Sequence, residues 1–237
     1  MLKKIIAAAA LMSVTAATFA DEASIRKAIQ TAYPKVKVDS VAKTPYPGLY
    51  EVFLEGQIVY TDENFSFFIA EGRLIDTKTK KDLTSSRMED LTRVDFKSLP
   101  LDQAIKVVRG NGSRKVVVFS DPDCPYCKKL EVQELAPLTD VTIYTFLYPL
   151  EGLHPDAGNK AKAIWCSADR TKAWNDWMFK GQIDKSNTSC DTPLEKNAEL
   201  GRKLGVSSTP TLIFADGRRM LGAYPSKDIE KALNGGK

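Results

Sequence analysis

The sequence predicts an α+β fold: a small helix-and-antiparallel-sheet segment over residues 21–83, a linker helix within 84–100, and a larger mixed domain over 101–237. Three observations predict it. Short strand-like runs between residues 36 and 75 are punctuated by Gly and Pro turn signals, as in a meander. Beyond residue 115 the pattern changes to continuous apolar runs, each long enough for a strand covered on both faces. Helical segments separate those runs, which gives the order βαβ…ββα.

The elements follow in order. Residues 1–20 read as a secretory leader: Lys3 and Lys4, an apolar run over 5–14, and small residues around a cut after Ala20. A run of that length is short for a permanent membrane span, and a buried N-terminal helix is the alternative reading. Residues 24–32 carry Ile25, Ala28, Ile29 and Ala32 at helical spacing, and Pro34 stops the pattern. Strands are expected at 36–38, 50–54, 58–60 and 65–70, with Gly72 before Leu74-Ile75. So small a sheet leaves edges that invite pairing with a second copy, so a homodimer is expected through this region. Residues 85–95 read as the linker helix, with Met88, Leu91 and Val94 three apart, and a second helix is expected over 101–109, ending at Gly110-Asn111-Gly112. Then come a strand at Val116-Val117-Val118-Phe119, a helix continuing over 128–135, a strand at 141–148 and a long helical stretch over 157–180. A helix ending at Gly205, a strand at Thr211-Leu212-Ile213-Phe214, a turn at Asp216-Gly217 and a last helix capped by Ser226 complete the chain.

The composition is that of an ordinary globular protein, with 43% apolar and 27% charged residues in 237. The formal charge is +4, two units of it from Lys3 and Lys4, and the remaining basic residues are interspersed with acidic ones. No basic face marks a nucleic-acid partner. The four cysteines are Cys124, Cys127, Cys166 and Cys190. In a secreted chain an even count predicts pairing, with three connectivities open. The C-x-x-C spacing sets Cys124 and Cys127 apart as a redox or metal pair and leaves Cys166 with Cys190.

Cys124-Pro125-Tyr126-Cys127 sits directly after an apolar strand and at the start of a helix. Free N–H groups and the helix dipole at that position favour a thiolate on the first cysteine. The second lies one turn on and can resolve a mixed disulfide by attacking the first sulfur. Pro125 suits the first helical turn, and Tyr126 can offer an apolar contact to a substrate. A structural zinc would need two further ligands at compatible spacing, and the single histidine, His154, forms no H-x-x-x-H pair, so no metal is expected. Asp121 and Asp123 read as loop and cap residues. Thr209-Pro210 enters an apolar strand. On spacing alone it is an ordinary trans turn, whereas a cis bond would free the Thr209 backbone for a substrate strand. A 166–190 disulfide would close about 25 residues and contribute roughly 3 kcal/mol by loop entropy. His154 precedes Pro155 in a loop and reads as surface structure without a role. Trp165, Trp174 and Trp177 follow helical spacing and read as packing residues.

These motifs resemble the DsbC/DsbG family of periplasmic thiol:disulfide interchange proteins, and its DsbC branch most closely. The residues that carry the resemblance are Val118-Phe119-Ser120-Asp121 leading into Cys124-Pro125-Tyr126-Cys127, Ala163-Ile164-Trp165-Cys166, Ser189-Cys190, Leu204-Gly205-Val206-Ser207-Ser208-Thr209-Pro210 and Pro47-Gly48-Leu49-Tyr50-Glu51-Val52. The resemblance implies a thioredoxin-like domain with a helical insertion, joined by the linker helix to a cystatin-like dimerisation domain. It implies a V-shaped homodimer whose apolar cleft holds misfolded secreted proteins. It implies Cys124 as nucleophile, Cys127 as resolving thiol, a cis bond between Thr209 and Pro210, a structural Cys166–Cys190 disulfide, no cofactor, and a DsbD-like membrane reductant as partner. Pro-Tyr between the cysteines is the DsbG form, where DsbC usually has Gly-Tyr. The expected activity is therefore a disulfide isomerase. A DsbG-like reductase of sulfenylated cysteines and a holdase are the alternatives, and a DsbA-like oxidase is disfavoured by the extra N-terminal domain.

Overall fold

The computed structural model describes residues 15–186 and 188–235, and the chain divides into two compact units between Met88 and Glu89. Most of the expected leader lies outside the described residues; positions 15–20 form the first turns of α1 (Thr15–Ala32). Among the described residues no helix is long and apolar enough to cross a membrane.

In the N-terminal unit α1 lays Ile25 and Ile29 against an antiparallel sheet of order β1-β2-β3-β4. The strands are β1 (Val38–Lys43), β2 (Tyr50–Leu54), β3 (Gln57–Thr61) and β4 (Phe68–Ile69). Val38, Val41, Tyr50, Val52 and Val59 complete the core. The first strand lies further along than the expected 36–38. Val36 is held in a turn by its N–H bond to the Tyr33 carbonyl, and a register shift between Val38 and Ser40 breaks the alternation that marks a strand in sequence. The fourth strand keeps only two of the expected six residues. Asp62 accepts from the Ser66 N–H and hydroxyl, and Phe65 takes a left-handed φ of 53°, so this turn consumes the start of the apolar run. Leu74-Ile75 forms no strand, only a single bridge from Ile75 to Asp82.

The helix α2 (Leu83–Leu91) ends earlier than expected. Beyond it, the Val94 N–H donates to the Gly217 carbonyl and Arg93 to the Asp216 carbonyl, and Val94, Phe96 and Leu99 are buried in the core of the C-terminal unit. Gly217, at φ 84°, permits this approach, since a Cβ there would lie 2.2 Å from the Val94 oxygen.

The C-terminal unit is built on a sheet of order β5-β7-β6-β8-β9, in which only β6 and β7 run parallel. Its strands are β5 (Ile105–Arg109), β6 (Arg114–Ser120), β7 (Val141–Leu147), β8 (Thr211–Phe214) and β9 (Arg219–Leu221). The expected helix over 101–109 is a correction. Residues Leu101–Gln103 form one 3₁₀ turn, and the β-branched Ile105, Val107 and Val108 enter a strand paired antiparallel with β7, Ile105 opposite Thr145. The continuous run in β6 has the expected cause: Val116 and Val118 join one core while Val117 and Phe119 join another, on opposite faces.

Helix α3 (Pro125–Lys129) continues as a π-helical segment, Leu130–Leu135. The stretch over 157–180 is two helices, α4 (Ala157–Cys166) and α5 (Arg170–Asn175), followed by a π turn, Asp176–Lys180. It breaks because Asp169 caps α5 by accepting from the Lys172 N–H, while Arg170 donates back to the Trp165 carbonyl. Then come α6 (Leu194–Lys203) and α7 (Ser226–Leu233). Ser226 is the first residue inside α7 rather than its cap; its N–H and hydroxyl both go to Glu134.

Candidate active site

The parallel strand β6 ends at Ser120, and the loop Asp121-Pro122-Asp123 delivers Cys124 to the N-cap position of α3. Pro125 occupies the first turn and Tyr126 projects outward, 65% exposed. Both cysteines are free thiols and buried. Four groups converge on the Cys124 sulfur, and together they hold its thiol far below the ordinary range, at about 5. The strongest is the hydrogen bond with the Cys127 side chain, followed by the Cys127 N–H, the Thr209 side chain and the Tyr126 N–H. Burial acts against them. The Cys127 thiol is pushed up, first by its own burial and then by its neighbour's sulfur. The pair is thus split into a ready thiolate and a thiol that keeps its proton.

Thr209 and Pro210 stand against this pair, joined by a cis peptide bond. The Cys124 sulfur lies 3.5 Å from the Thr209 carbonyl oxygen. Thr211 returns its hydroxyl to the Ser208 carbonyl, and Gly222 donates to the Pro210 carbonyl, which fixes the entry to β8.

Behind the cysteines the loop is held from several directions. The Asp121 N–H donates to the Cys127 sulfur at 3.4 Å. The Asp121 carboxyl is fully buried and accepts from the Asp123 N–H at 2.7 Å, the Leu150 N–H at 2.6 Å and His154 Nδ1 at 3.0 Å. Lys160, on α4, reaches both oxygens of Asp123 at 2.6 and 2.8 Å. Trp177 donates its indole N–H to the Pro122 carbonyl at 2.6 Å, with the Lys160 ammonium 4.8 Å from its ring centre. Trp174 and Met178 pack in one buried cluster with Cys124 and Cys127. Further along, Glu131 is buried and its carboxyl is raised by loss of hydration, with Arg109 3.9 Å away.

Of the residues singled out in the sequence, Cys124, Pro125, Tyr126, Cys127, Thr209 and Pro210 converge here. Cys166 and Cys190 are joined in a disulfide, 24 positions apart in the chain, and Cys190 packs against the cluster that holds the free thiols. The sequence reading took His154 for surface structure and did not foresee its contact with Asp121, against which its partly buried ring sits. It also missed Asp121 itself, whose carboxyl gathers three donors rather than serving a single cap. The available signal was that His154 is the chain's one histidine; its partner, 33 positions away, has no sequence marker.

Comparison with known proteins gives the family. Residues 101–237 match the thioredoxin-like domain family, and residues 16–85 match the N-terminal domain family of disulfide bond isomerase proteins. The probable thiol:disulfide interchange protein DsbC of Bordetella parapertussis is 45% identical over 196 residues, which cover 83% of this chain and 68% of that one. DsbC of Escherichia coli K12 is 27% identical over 218 residues, 91% of this chain and 88% of that one. A crystal structure of a disulfide interchange protein from Neisseria gonorrhoeae superposes with a TM-score of 0.55 at 50% identity, covering 58% of this chain and 97% of the other. A thioredoxin-like unit with a C-x-x-C pair, behind a DsbC-type N-terminal domain, places this chain in the DsbC family of thiol:disulfide interchange proteins.

Proposed function

We propose that the protein is a periplasmic disulfide isomerase that reshuffles wrong pairings in secreted proteins. The observation that carries this reading is the split between the Cys124 thiol, at about 5, and the raised Cys127 thiol beside it. At neutral pH the Cys124 thiolate attacks one sulfur of a substrate disulfide. The substrate S–S bond breaks, a Cys124–substrate disulfide forms, and the other substrate sulfur leaves as thiolate. A different substrate thiolate then attacks the mixed disulfide and frees Cys124, which leaves the substrate repaired with no net change in oxidation. Alternatively Cys127 gives up its proton and attacks Cys124, which reduces the substrate and leaves a 124–127 disulfide. A DsbD-like membrane reductant would restore that pair. Pro125, Tyr126, Thr209 and Pro210 would form the contact surface for substrate, with the exposed Tyr126 ring as its apolar part.

The N-terminal unit supports a homodimer. Its last strand is a two-residue edge with Phe67, Phe68 and Ile69 exposed, the kind of edge a second copy can cover. The leader-like residues 1–20 support export to the periplasm. The Pro125-Tyr126 dipeptide favours a second reading, reduction of sulfenylated single cysteines in the manner of DsbG.

Refolding of a scrambled multi-disulfide protein separates these readings. Recovery of activity with the wild type and its loss with Cys124→Ala supports isomerase action. Equal recovery with both proteins points to a holdase. Failure to recover the scrambled protein, together with reduction of a sulfenic acid, assigns the DsbG-like activity.

A further inference from the structure

We propose that His154 is a positioning residue for the cysteine pair: its imidazole, seated on the buried Asp121 carboxyl, couples its own protonation to the ionisation of Cys124. The proposal rests on the reactive thiolate described above and extends it to a residue outside the C-x-x-C turn.

The argument begins with an imbalance of charge around the loop. Asp123 has the Lys160 ammonium on both oxygens, and Asp156 has Lys185 at 2.8 Å and Lys160 at 3.5 Å. Asp121 is the most buried of the three, and among the described residues its only ionisable partner is His154. Its other donors are the neutral N–H groups of Asp123 and Leu150. The Asp121 main chain is also tied to the pair, accepting from the Cys124 N–H at 3.2 Å and donating to the Cys127 sulfur at 3.4 Å.

A buried carboxylate in the loop whose main chain bonds both cysteines opposes a thiolate there unless a positive charge compensates. Imidazolium at His154 supplies that charge, whereas neutral imidazole keeps the hydrogen bond but not the compensation. The charges that act on the ring are those of Asp121, which it touches, and of Cys124 and Asp123, while Lys160 from α4 is engaged by Asp123. Hydrogen bonding to Asp121 raises the proton affinity of His154 above the ordinary range, with smaller contributions from the charges of Asp121, Cys124 and Asp123. Linkage then works in both directions: a thiolate that holds the imidazole proton is itself held in the ionised form by the imidazolium.

Because the chain has one histidine, ring NMR of the untagged mature protein follows this group alone. In the reduced wild type the His154 midpoint is expected at higher pH than in Cys124→Ser, where no thiolate can form; equal midpoints overturn the proposal. Alkylation of Cys124 by iodoacetamide gives the reciprocal reading. His154→Gln keeps a hydrogen-bonding side chain without the charge, and it is expected to react about two- to threefold more slowly than wild type at pH about 5. At about pH 8, where the thiol is ionised in both proteins, it should react no more slowly. Rates that superimpose at both pH values, or that fall by the same factor at both, overturn the coupling and leave His154 a structural residue. A wild-type Cys124 that reacts like a free thiol overturns the preceding functional reading as well, so the two failures are distinguishable.

Discussion

The sulfur of Cys124 lies 3.5 Å from the carbonyl oxygen of Thr209, a residue brought 85 positions along the chain to the start of β8. The Thr209 side chain adds a hydrogen bond that helps to hold the Cys124 thiol at about 5. Thr209→Val keeps the shape and removes the hydroxyl. If that bond to the thiolate is worth about 1 kcal/mol, the midpoint rises by about 0.7 pH unit, and alkylation of Cys124 at pH about 5 should slow about threefold. Thiolate absorbance followed against pH checks this, with the midpoint expected to move upward.

The same thiol makes the stability of the reduced protein depend on pH. Its folded value, about 5, lies below the ordinary thiol value of 9.0, so its contribution is complete above about 9 and is lost as pH falls through about 5. Denaturant unfolding of the reduced wild type against Cys124→Ser should show a difference that grows from pH 5 toward pH 9. At pH 7, two units above the folded value, it should reach at most about 2.7 kcal/mol.

Gly201 lets α6 pack on the ring of Tyr148. A Cβ there would fall 2.3 Å from the Tyr148 ring, whose hydroxyl donates to the Val206 carbonyl at 3.1 Å, while the Val206 N–H returns to the Gly201 carbonyl. Gly201→Ala is therefore expected to cost about 1–3 kcal/mol. It should also slow thiol exchange, because the segment from Val206 to Thr209 is set by these bonds. Urea unfolding and a disulfide reduction assay read the two effects.

Replacing both Cys166 and Cys190 by Ala opens a loop whose ends are 24 positions apart. The chain-entropy cost is about 3 kcal/mol, which should appear as a lower urea midpoint, with a slope that does not fall because the unlinked unfolded chain exposes at least as much surface. Trp177, inside that loop and bonded to Pro122, should report the loosening in its fluorescence.

What could be read from the sequence was local. The cysteine turn, the end of α6 at Gly205, the turn at Asp216-Gly217 and the doubly covered strand at Val116-Val117-Val118-Phe119 all depend on neighbouring residues. What was missed depends on partners far along the chain. Ile105–Arg109 has a helix-compatible pattern and becomes a strand because β7 lies beside it. Arg93 and Val94 leave the linker helix because Asp216 and Gly217 accept their bonds. His154 gains its place from Asp121, and nothing in the spacing of either residue announces that meeting.

The bridge between Cys166 and Cys190 encloses the stretch that supplies both Trp174, packed with the free thiols, and Trp177, which steadies the carbonyl of Pro122. The reactive C-x-x-C turn is therefore braced by a crosslink of its own. Synthesised where glutathione keeps sulfurs apart, the polypeptide would carry its reactive turn without the staple behind it. Full assembly of the site thus waits on oxidising surroundings.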